Sequence, residues 1–444
     1  MARDQNIKGL KVLVAGLGKS GLAAIHLLVG KGAHAYGTDS RAIGDLEGVG
    51  PALQAMGVPF HPLSAETFQG YDLIVLSPGV PRDLPELQAV STRVIGEVEL
   101  ASWFLEGPIL GITGANGKTT TTALAGHVLE RCGIPCQVGG NIGLPPTAMV
   151  GASRRDQWNV LELSSFQLET IETFRAQIGV CLNITPDHLD RHHTFEAYAA
   201  AKGRLFETQQ ASDWAVLNAD DGPTAAMAQG LRSQPVWFSL QHPVERGLWL
   251  NGGNIYSDGA PLMPASEIPL RGRHNIENVM AAAGAARLAG ATLEGIRAAV
   301  RTFPGVEHRI EFVREVRGVP YYNDSKATNV DATLKSIEAF EGGLWIILGG
   351  KDKGGDYAPL GAALHQKAKA ALLIGAAAEK IASQIAGTVV LVRCGTLEAA
   401  VNYASSRAVA GDTVLLAPAC ASFDQFKNYE ERGKLFKTFV GKIV

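Results

Sequence analysis

The sequence predicts an α/β protein of three tandem domains, each built on a mostly parallel sheet. The chain has 444 residues, which is too long for a single hydrophobic core. Short apolar runs alternate with helical patterns along its length, which indicates parallel strands joined by crossover helices. Polar, glycine-rich loops follow several of these runs, where α/β proteins bind their ligands. We expect domain boundaries at residues 1–95, 96–302 and 303–444.

The composition is typical of a globular protein and argues against several functional classes. Hydrophobic residues make up 46% of the chain and charged residues 19%. The net charge is −3, from 40 basic and 43 acidic residues, so no global field attracts nucleic acid or a membrane surface. No apolar run is long enough to span a bilayer, and the N-terminus lacks a signal-like apolar core. The five scattered cysteines fit a reduced, cytoplasmic protein. We further expect a monomer without nucleic-acid or membrane partners.

The first domain opens with a strand at Lys11–Ala15, a glycine-rich loop at 16–21 and a helix over 22–30. A second strand, His34–Thr38, ends at Asp39, and a third covers 72–76. This order is the fingerprint of a Rossmann-like dinucleotide-binding unit, which alone would favour NAD. A second nucleotide loop follows soon after the third strand, so the glycines could instead hold a different diphosphate.

The central domain is predicted to be P-loop ATPase-like. Residues 111–119 read Gly-Ile-Thr-Gly-Ala-Asn-Gly-Lys-Thr, between an apolar run at 108–110 and a helix over 120–130. Ile112 stands where the strict phosphate-loop pattern has its first glycine. Backbone N–H groups, the Lys118 cation and the Thr119 hydroxyl nevertheless suit nucleotide phosphates and Mg²⁺. The residues expected to bind ATP here are Gly114, Ala115, Asn116, Gly117, Lys118, Thr119 and Thr120.

Two further segments of this domain carry candidate ligands. Glu162 ends a strand at 159–163, and a buried carboxylate costs several kcal/mol unless it is paired or bound to metal. A charge at a helix N-terminus is the alternative interpretation. The segment 183–193 follows a strand at 178–182 but matches no zinc spacing, so we favour His188 as a neighbour of Mg²⁺. We interpret His192 and His193 as surface histidines.

The last domain is predicted to be a further Rossmann-like α/β unit, with strands at 344–348, 371–374, 389–392 and 413–417. Short polar loops follow several predicted strands, and such loops concentrate substrate contacts. They are 323–329, 349–354 and 418–424, and His308-Arg309 follows a hinge at 303–306. Their number suggests a site for a compact anionic substrate.

These motifs together resemble the Mur ligases of peptidoglycan synthesis over essentially the whole chain, and most closely the branch that adds D-glutamate. The markers are 111–119, 162–169, 183–191, His274-Asn275 with Asn278, His308-Arg309, 324–329 and 422–427. The resemblance implies an ATP-dependent amide ligase that activates UDP-N-acetylmuramoyl-L-alanine as an acyl phosphate. The amine of D-glutamate then displaces phosphate.

The resemblance also implies residue roles. Thr119 and Glu162 would bind one Mg²⁺, and His188 with a carbamylated Lys202 a second; Lys118 completes the catalytic set. ATP would further meet Asn275, Arg309 and Asp324. The UDP-sugar contacts would be Lys19, Ser20, Ser40, Arg41, Ser77, Gly79, Asn141 and His188. The D-glutamate contacts would be Lys326, Thr328, Lys353, Ser422 and Tyr429.

Two positions depart from the family pattern. Lys19 stands where relatives often carry an apolar residue, and the sequence leaves open whether Lys351 or Lys353 meets the substrate carboxylate. Nothing in the sequence alone selects Lys202.

Other functional classes explain the sequence less completely. An NAD-dependent dehydrogenase would have no use for the phosphate loop at residues 111–119, and a regulatory nucleotide-binding module would not explain the strand-end loops of the last domain. Ligases that add L-alanine, diaminopimelate or lysine, and folylpolyglutamate ligases, are the near alternatives.

Overall fold

The computed structural model describes residues 6–64, 66–352 and 354–443. The chain divides into two compact units, Met1–Ile268 with Ile276–Phe303, and Pro269–Asn275 with Pro304–Val444. Within the described ranges, every helix is too short or too polar to traverse a lipid bilayer.

The first sheet of the larger unit has four parallel strands in the order β2-β1-β3-β4. Its strands are β1 Lys11–Ala15, β2 His34–Thr38, β3 Leu73–Leu76 and β4 Arg93–Gly96. Its helices are α1 Lys19–Gly30, α2 Val49–Ala55, α3 Pro85–Gln88 and α4 Glu97–Ser102. The sequence predicted β1 and β2 with these bounds, whereas α1 begins three residues earlier than predicted.

The second sheet has nine strands in the order β13-β12-β11-β10-β9-β8-β5-β7-β6. They are β5 Ile109–Thr113, β6 Cys136–Gly140, β7 Trp158–Glu162, β8 Ile178–Cys181, β9 Trp214–Asn218, β10 Gln234–Ser239, β11 Gly247–Asn251, β12 Asn254–Ser257 and β13 Ala260–Pro264. Its helices are α5 Lys118–Arg131, α6 Pro146–Met149, α7 Ser165–Leu168, α8 Leu189–His192, α9 Phe195–Gly203, α10 Gly222–Ala226, α11 Arg273–Leu288 and α12 Leu293–Arg301.

Strands β5 to β11 are parallel, and β12 and β13 continue the sheet as antiparallel strands. The sequence did not predict β10 to β13. Their residues are a mixture of buried, partly buried and exposed ones and include Trp249 and Tyr256, which stack with ring centroids 5.9 Å apart. Such half-buried strands lack the continuous apolar runs that indicate a central parallel strand.

The smaller unit contains a six-stranded sheet in the order β14-β15-β19-β16-β17-β18. Its strands are β14 Glu311–Val316, β15 Val319–Asn323, β16 Leu344–Gly349, β17 Ala368–Ile374, β18 Val390–Gly395 and β19 Thr413–Leu416. Its helices are α13 Val330–Glu338, α14 Leu360–Lys367, α15 Ala378–Gln384, α16 Leu397–Arg407 and α17 Tyr429–Gly441. Only the β14–β15 pair in this sheet is antiparallel.

The predicted fold class, three tandem α/β domains with mainly parallel sheets, is confirmed. The strands at the centre of each sheet are almost wholly buried apolar runs, as in β3, β5 and β19. Because the carboxyl ends of parallel strands meet at one edge, each sheet gathers the polar loops that follow its strands.

Candidate functional site

The loop between β5 and α5 has the backbone of a phosphate-binding turn. Gly114 has a φ of 149° and Gly117 a φ of 84°, values at which a side chain would be strained. A Cβ on Gly117 would also lie 2.3 Å from the Asn278 Oδ1 atom. Helix α5 starts at Lys118, so its free backbone N–H groups point toward the loop, where they can bind phosphate.

Asn183, which the sequence analysis gave no role, fixes this loop to the end of β8. Its Oδ1 atom accepts from the Asn116 backbone N–H at 2.8 Å, and its Nδ2 donates to the Asn116 carbonyl at 3.2 Å. Its own carbonyl accepts from the Ala115 N–H at 2.8 Å. The signal that could have identified it is its place directly after a buried strand.

Two lysines converge on one carbonyl of the phosphate loop. The Lys118 Nζ donates to the Gly114 oxygen at 2.8 Å and to the Ala115 oxygen at 2.9 Å. The Lys202 Nζ donates to the same Gly114 oxygen at 2.9 Å. Lys202 is buried on α9 and lies over the Tyr198 ring, 4.6 Å from its centroid. Burial, and then the positive charge of Lys118, lower the pKa of Lys202 to about 7.

Glu162 ends β7 as predicted and is buried. Its Oε1 atom accepts from the Asn141 Nδ2 at 2.8 Å, whereas its buried Oε2 has no hydrogen-bond partner among the described residues. An unpaired buried carboxylate oxygen is costly, and oxygen is the ligand that Mg²⁺ prefers. Thr119 is buried in the first turn of α5. These residues therefore fit the predicted magnesium ion.

His188 precedes α8 with a φ of 51°, and its side chain is about half exposed. Its ring packs against Phe166 with centroids 4.9 Å apart, and its Nε2 lies 3.6 Å from the Asp187 Oδ2. Across the described part of the chain, no three His, Cys, Asp or Glu side chains form a cluster suited to a metal.

His192 is not the surface histidine that the sequence suggested. Its side chain is 3% exposed, its Nε2 lies 2.9 Å from the Ser165 Oγ, and its Nδ1 lies 3.1 Å from a Glu169 oxygen. The sequence analysis misread it because polar neighbours surround it in the chain. His193 is exposed, as predicted, and 73% of its side chain is accessible.

Three loops meet at the carboxyl ends of β1, β2 and β3, where the UDP-sugar residues were predicted. The Ser77 Oγ donates to the Gly16 carbonyl at 2.6 Å. The Asp39 carboxylate accepts from the Leu17 N–H at 2.8 Å and from the Arg41 Nε at 3.2 Å. Asp39 thus holds the glycine-rich loop. The first-domain candidates with solvent-facing positions are Lys19, Ser40, Arg41 and Gly79, and Ser20 is half-buried.

In the smaller unit, β15 leads into Asp324, which is buried. Burial raises the pKa of Asp324 to about 6, although a hydrogen bond from Ser336 and the nearby Arg309 charge oppose this rise. The Asn275 Nδ2 donates to the Arg271 carbonyl at 2.6 Å in the same unit. These contacts bring together Arg309 and Asp324, two of the predicted ATP residues.

Arg432, which the sequence analysis missed, joins two of the loops predicted to bind D-glutamate. It is fully buried on α17. Its Nε donates to the Ser325 Oγ at 2.9 Å, its Nη2 to the Ser325 carbonyl at 2.8 Å and its Nη1 to the Cys420 carbonyl at 3.2 Å. The loop of Lys326 and Thr328 is thereby fixed beside the loop of Ser422.

The other predicted D-glutamate residues have different positions. Ser422 is buried, and Lys326 and Thr328 are half-buried. Tyr429 begins α17, and its carbonyl accepts from the Ser325 Oγ at 2.8 Å. Lys353 lies outside the described residues. The exposed Lys351 bonds through its backbone N–H to the Ala421 carbonyl at 2.9 Å.

Comparison with known proteins identifies the family. Residues 10–98 match the model for the Mur ligase MurD-like N-terminal domain, residues 112–286 the Mur ligase middle domain, and residues 308–420 the Mur ligase glutamate ligase domain. The chain belongs to the Mur ligase family. Two relatives of this Mur ligase are named UDP-N-acetylmuramoylalanine--D-glutamate ligase. One, from Solibacter usitatus, is 60% identical over 98% of this chain and 99% of its own length.

The other relative, from Acidobacterium capsulatum, is 54% identical over 98% of this Mur ligase and 96% of its own length. The crystal structure of MurF ligase from Thermotoga maritima in complex with ADP is similar in fold. Its TM-score is 0.61 at 17% identity, with 100% of this chain and 98% of that one covered. Both predictions, of the family and of the fold class, are confirmed.

Proposed function

We propose that this Mur ligase joins D-glutamate to UDP-N-acetylmuramoyl-L-alanine and converts ATP to ADP and phosphate, as a cytoplasmic step of peptidoglycan precursor synthesis. Two close relatives bear the name of this activity. The observation that carries the proposal is the cluster at the phosphate loop. There Lys118 and Lys202 share the Gly114 carbonyl, and Glu162 holds a buried, unpaired oxygen nearby.

The reaction follows from the weakness of a carboxylate as an acyl donor. An oxygen of the L-alanine carboxylate attacks the γ-phosphorus of ATP, the bond to ADP breaks, and an acyl phosphate forms. The D-glutamate amine then attacks the carbonyl carbon, loses a proton, and expels phosphate. Lys118 supplies positive charge beside the phosphoryl group while negative charge spreads over its oxygens.

Thr119 and Glu162 are the residues that would hold Mg²⁺ next to the phosphate loop. When bound, this ion supplies a positive charge that offsets the charge of the transferring phosphoryl group. Asn141 supports Glu162 through its Nδ2 donor, which orients the second carboxylate oxygen away from that contact. The second Nδ2 proton and the Oδ1 atom of the Asn141 side chain are proposed to contact the UDP-sugar.

Lys202 is proposed to carry a carbamate, which with His188 would hold a second Mg²⁺. Carbamylation needs a neutral amine to attack carbon dioxide, and a pKa of about 7 leaves much of Lys202 neutral near neutral pH. The product is an anion that keeps one N–H, which can still donate to the Gly114 carbonyl. The repulsion between the positive charges of Lys118 and Lys202 would then become an attraction between Lys118 and the carbamate.

The remaining assignments extend the family roles to this chain. The domains of residues 1–95, 96–302 and 303–444 are proposed to bind the UDP-sugar, ATP and the amino acid. The UDP-sugar contacts are Lys19, Ser20, Ser40, Arg41, Ser77, Gly79, Asn141 and His188. Further ATP contacts are Asn275, Arg309 and Asp324, and the D-glutamate contacts are Lys326, Thr328, Lys353, Ser422 and Tyr429. We propose that the protein acts as a monomer, without nucleic-acid or membrane partners.

An assay of phosphate release tests this proposal. The purified protein is given ATP and Mg²⁺ with each UDP-muramoyl acceptor in turn and a panel of amino acids. We expect release only when UDP-N-acetylmuramoyl-L-alanine and D-glutamate are both present, with the amide product detected by mass spectrometry. Faster turnover with free UDP-N-acetylmuramate and L-alanine, or with a diamino acid, would assign the chain to another branch of the family.

A further inference from the structure

Glu169 lies just beyond α7, next to residues assigned above, and has no role in the reaction as derived. Its Oε2 atom accepts from the Arg191 Nη2 at 3.0 Å, and its Oε1 lies 3.1 Å from the His192 Nδ1. All three side chains are less than one-fifth exposed, at 19% for Glu169, 15% for Arg191 and 3% for His192. Solvent therefore screens these contacts less than it would at an open surface.

The two partners of Glu169 reach different segments, of which one adjoins the predicted UDP-sugar site and the other follows the strand of Glu162. The Arg191 Nη2 also donates to the Val80 carbonyl at 3.3 Å, and Val80 directly follows the loop of Ser77 and Gly79. The His192 Nε2 lies 2.9 Å from the Ser165 Oγ, in the helix that follows the strand of Glu162. A carboxylate only accepts hydrogen bonds, so a proton on Nδ1 suits Glu169 and leaves Nε2 to accept the Ser165 hydroxyl.

The same partners support the ring on which His188 rests. The His192 ring stacks on Phe166 with centroids 5.5 Å apart and an interplanar angle of 14°. The Arg191 guanidinium lies 5.0 Å from the Phe166 centroid, and Phe166 contacts the His188 ring. His188 is itself about half exposed, so its orientation depends on this packing.

The backbone of Glu169 provides an internal control. Its carbonyl accepts from the Arg82 Nη1 at 3.0 Å and from the Arg204 Nη1. These two contacts join the loop after β3 to the end of α9, and any substitution at position 169 keeps them. Changing the side chain of Glu169 therefore removes only the contacts to Arg191 and His192.

We infer that Glu169, acting through Arg191 and His192, is a positioning residue that fixes His188 and the loop of Ser77 and Gly79 for the UDP-sugar. This inference rests on the proposed function. The Glu169 side chain contacts no described residue of the phosphate loop or of the D-glutamate loops, so we expect its loss to raise the KM for the UDP-sugar. An effect on the magnesium ion proposed at His188 would appear in kcat.

The experiment compares Glu169→Ala, Glu169→Gln and the neighbouring Glu172→Ala in the full chain. Glu172 forms a half-exposed ion pair with Arg93, at 2.6 Å, and serves as the matched control. We expect Glu169→Ala to raise the KM for UDP-N-acetylmuramoyl-L-alanine roughly tenfold or more, as for the loss of two charge-assisted contacts. The KM values for ATP and D-glutamate should stay within about twofold of the wild-type values, which is the scatter expected of a surface change. The KM of Glu169→Gln for the UDP-sugar should lie between the values of the wild type and Glu169→Ala, because glutamine keeps one acceptor oxygen.

Chemical rescue separates positioning from a general loss of structure. Glu169, Arg191 and His192 line a cavity of about 440 Å³ whose wall includes Ala197 and Ala200. Acetate matches the atoms that Glu169→Ala deletes and can enter this cavity. We expect added acetate to lower the raised KM of Glu169→Ala, and to leave the wild type and Glu172→Ala unchanged.

The outcomes distinguish this inference from the proposed function. A wild-type protein that shows no release dependent on D-glutamate contradicts the proposed function before any variant is compared. An active wild type with an unchanged UDP-sugar KM in Glu169→Ala overturns the inference alone. Equal increases for all three substrates, without recovery in acetate or in the Gln variant, would show a structural role and overturn it as well.

Discussion

Lys202 has an ammonium group that is buried beside a second lysine and bonded only to a backbone carbonyl among the contacts described. Taking such a charge out of water is costly when no carboxylate pairs with it. The lowered pKa of about 7 is the consequence, since burial penalises the protonated form. A carbamate on Lys202 would relieve the repulsion from Lys118.

We therefore predict that Lys202→Ala loses most of its kcat and partly recovers it when a short-chain carboxylic acid is added. The acid would replace the missing anion beside His188 and the phosphate loop. The recovery should appear in kcat, in contrast to the KM recovery expected for Glu169→Ala. A crystal structure with both metal ions bound and an unmodified ammonium at Lys202 would refute the carbamate.

We also predict that Lys118→Ala abolishes ligation while the protein still binds the UDP-sugar. Lys118 lies in the phosphate loop after β5, whereas the proposed uridine contacts follow β1 and β2 of the first sheet. Isothermal titration calorimetry with each ligand measures the two affinities separately. Comparable losses for ATP and the UDP-sugar would be incompatible with the domain assignment.

The sequence predicted those site residues that follow a buried strand or lie in a glycine-rich loop. The sequence placed Glu162 at the end of a strand and Lys118 just before a helix, because local patterns reveal strand ends and helix starts. Their roles stay a prediction. His192 and Arg432 were misread or missed, because their roles depend on partners far along the chain, namely Glu169 with Ser165 and Ser325 with Cys420. Such pairings arise only when the sheets assemble.

At the scale of single elements, α4 carries a buried carboxylate at its first residue. The Glu97 Oε1 accepts from the Thr147 N–H at 2.7 Å and from its hydroxyl at 2.6 Å. Its Oε2 is buried with no hydrogen-bond partner in the described part of the chain. Burial raises the pKa of Glu97 from 4.5 to about 7, although the Thr147 contacts oppose this rise.

This pKa predicts how stability depends on pH. Between pH 4.5 and about 7, folded Glu97 keeps a proton that the unfolded chain has lost, so its contribution to stability falls as pH rises. Glu97→Gln stays neutral throughout. Relative to the wild type, we expect the free energy of unfolding of the variant to rise by up to about 3 kcal/mol as the pH increases from about 5 to about 8.

Thermal or urea unfolding at the two pH values measures this difference, with Glu106→Gln as the control. Glu106 is 54% exposed and faces Arg155 at 3.9 Å, so its neutralisation should leave the pH dependence of stability unchanged. A Glu97→Gln variant whose advantage is the same at both pH values would show that Glu97 is not held protonated.

The two loops joined by Arg432 predict which amino acid the enzyme accepts. Arg432 holds these loops together, and the residues proposed to donate to two carboxylates are Lys326 and Thr328 on one loop and Ser422 on the other. An enantiomer that seats both carboxylates directs its amine away from the acyl phosphate, and a chain shorter by one methylene loses a contact. Each lost charge-assisted contact costs about 1.5–3 kcal/mol, or roughly ten- to a hundred-fold.

We therefore predict that L-glutamate and D-aspartate are poor substrates, and that Lys326→Ala and Ser422→Ala raise the KM for D-glutamate far more than that for ATP. Steady-state kinetics with each substrate varied in turn measures both effects. Equal use of L-glutamate, or an unchanged D-glutamate KM in both variants, would remove these residues from the amino-acid site.

At the scale of the whole molecule, the order of strands and helices was predictable because alternating apolar runs and helical patterns persist through the chain. Parallel strands in the interior of the sheets were found almost residue for residue, as in Lys11–Ala15 and Trp214–Asn218. The antiparallel edge from β11 to β13 was not, because half-buried strands resemble loops in composition. The domain boundaries at residues 95 and 302 stay a prediction.

We propose that this one chain couples ATP to amide formation through an acyl phosphate. The most direct test places a heavy oxygen isotope in the L-alanine carboxylate of the UDP-sugar and follows phosphate release with ATP and D-glutamate. We predict that release requires both substrates and that labelled oxygen appears in the phosphate, since the attacking carboxylate oxygen leaves with it. Release that needs only ATP, or phosphate without the label, would contradict this account.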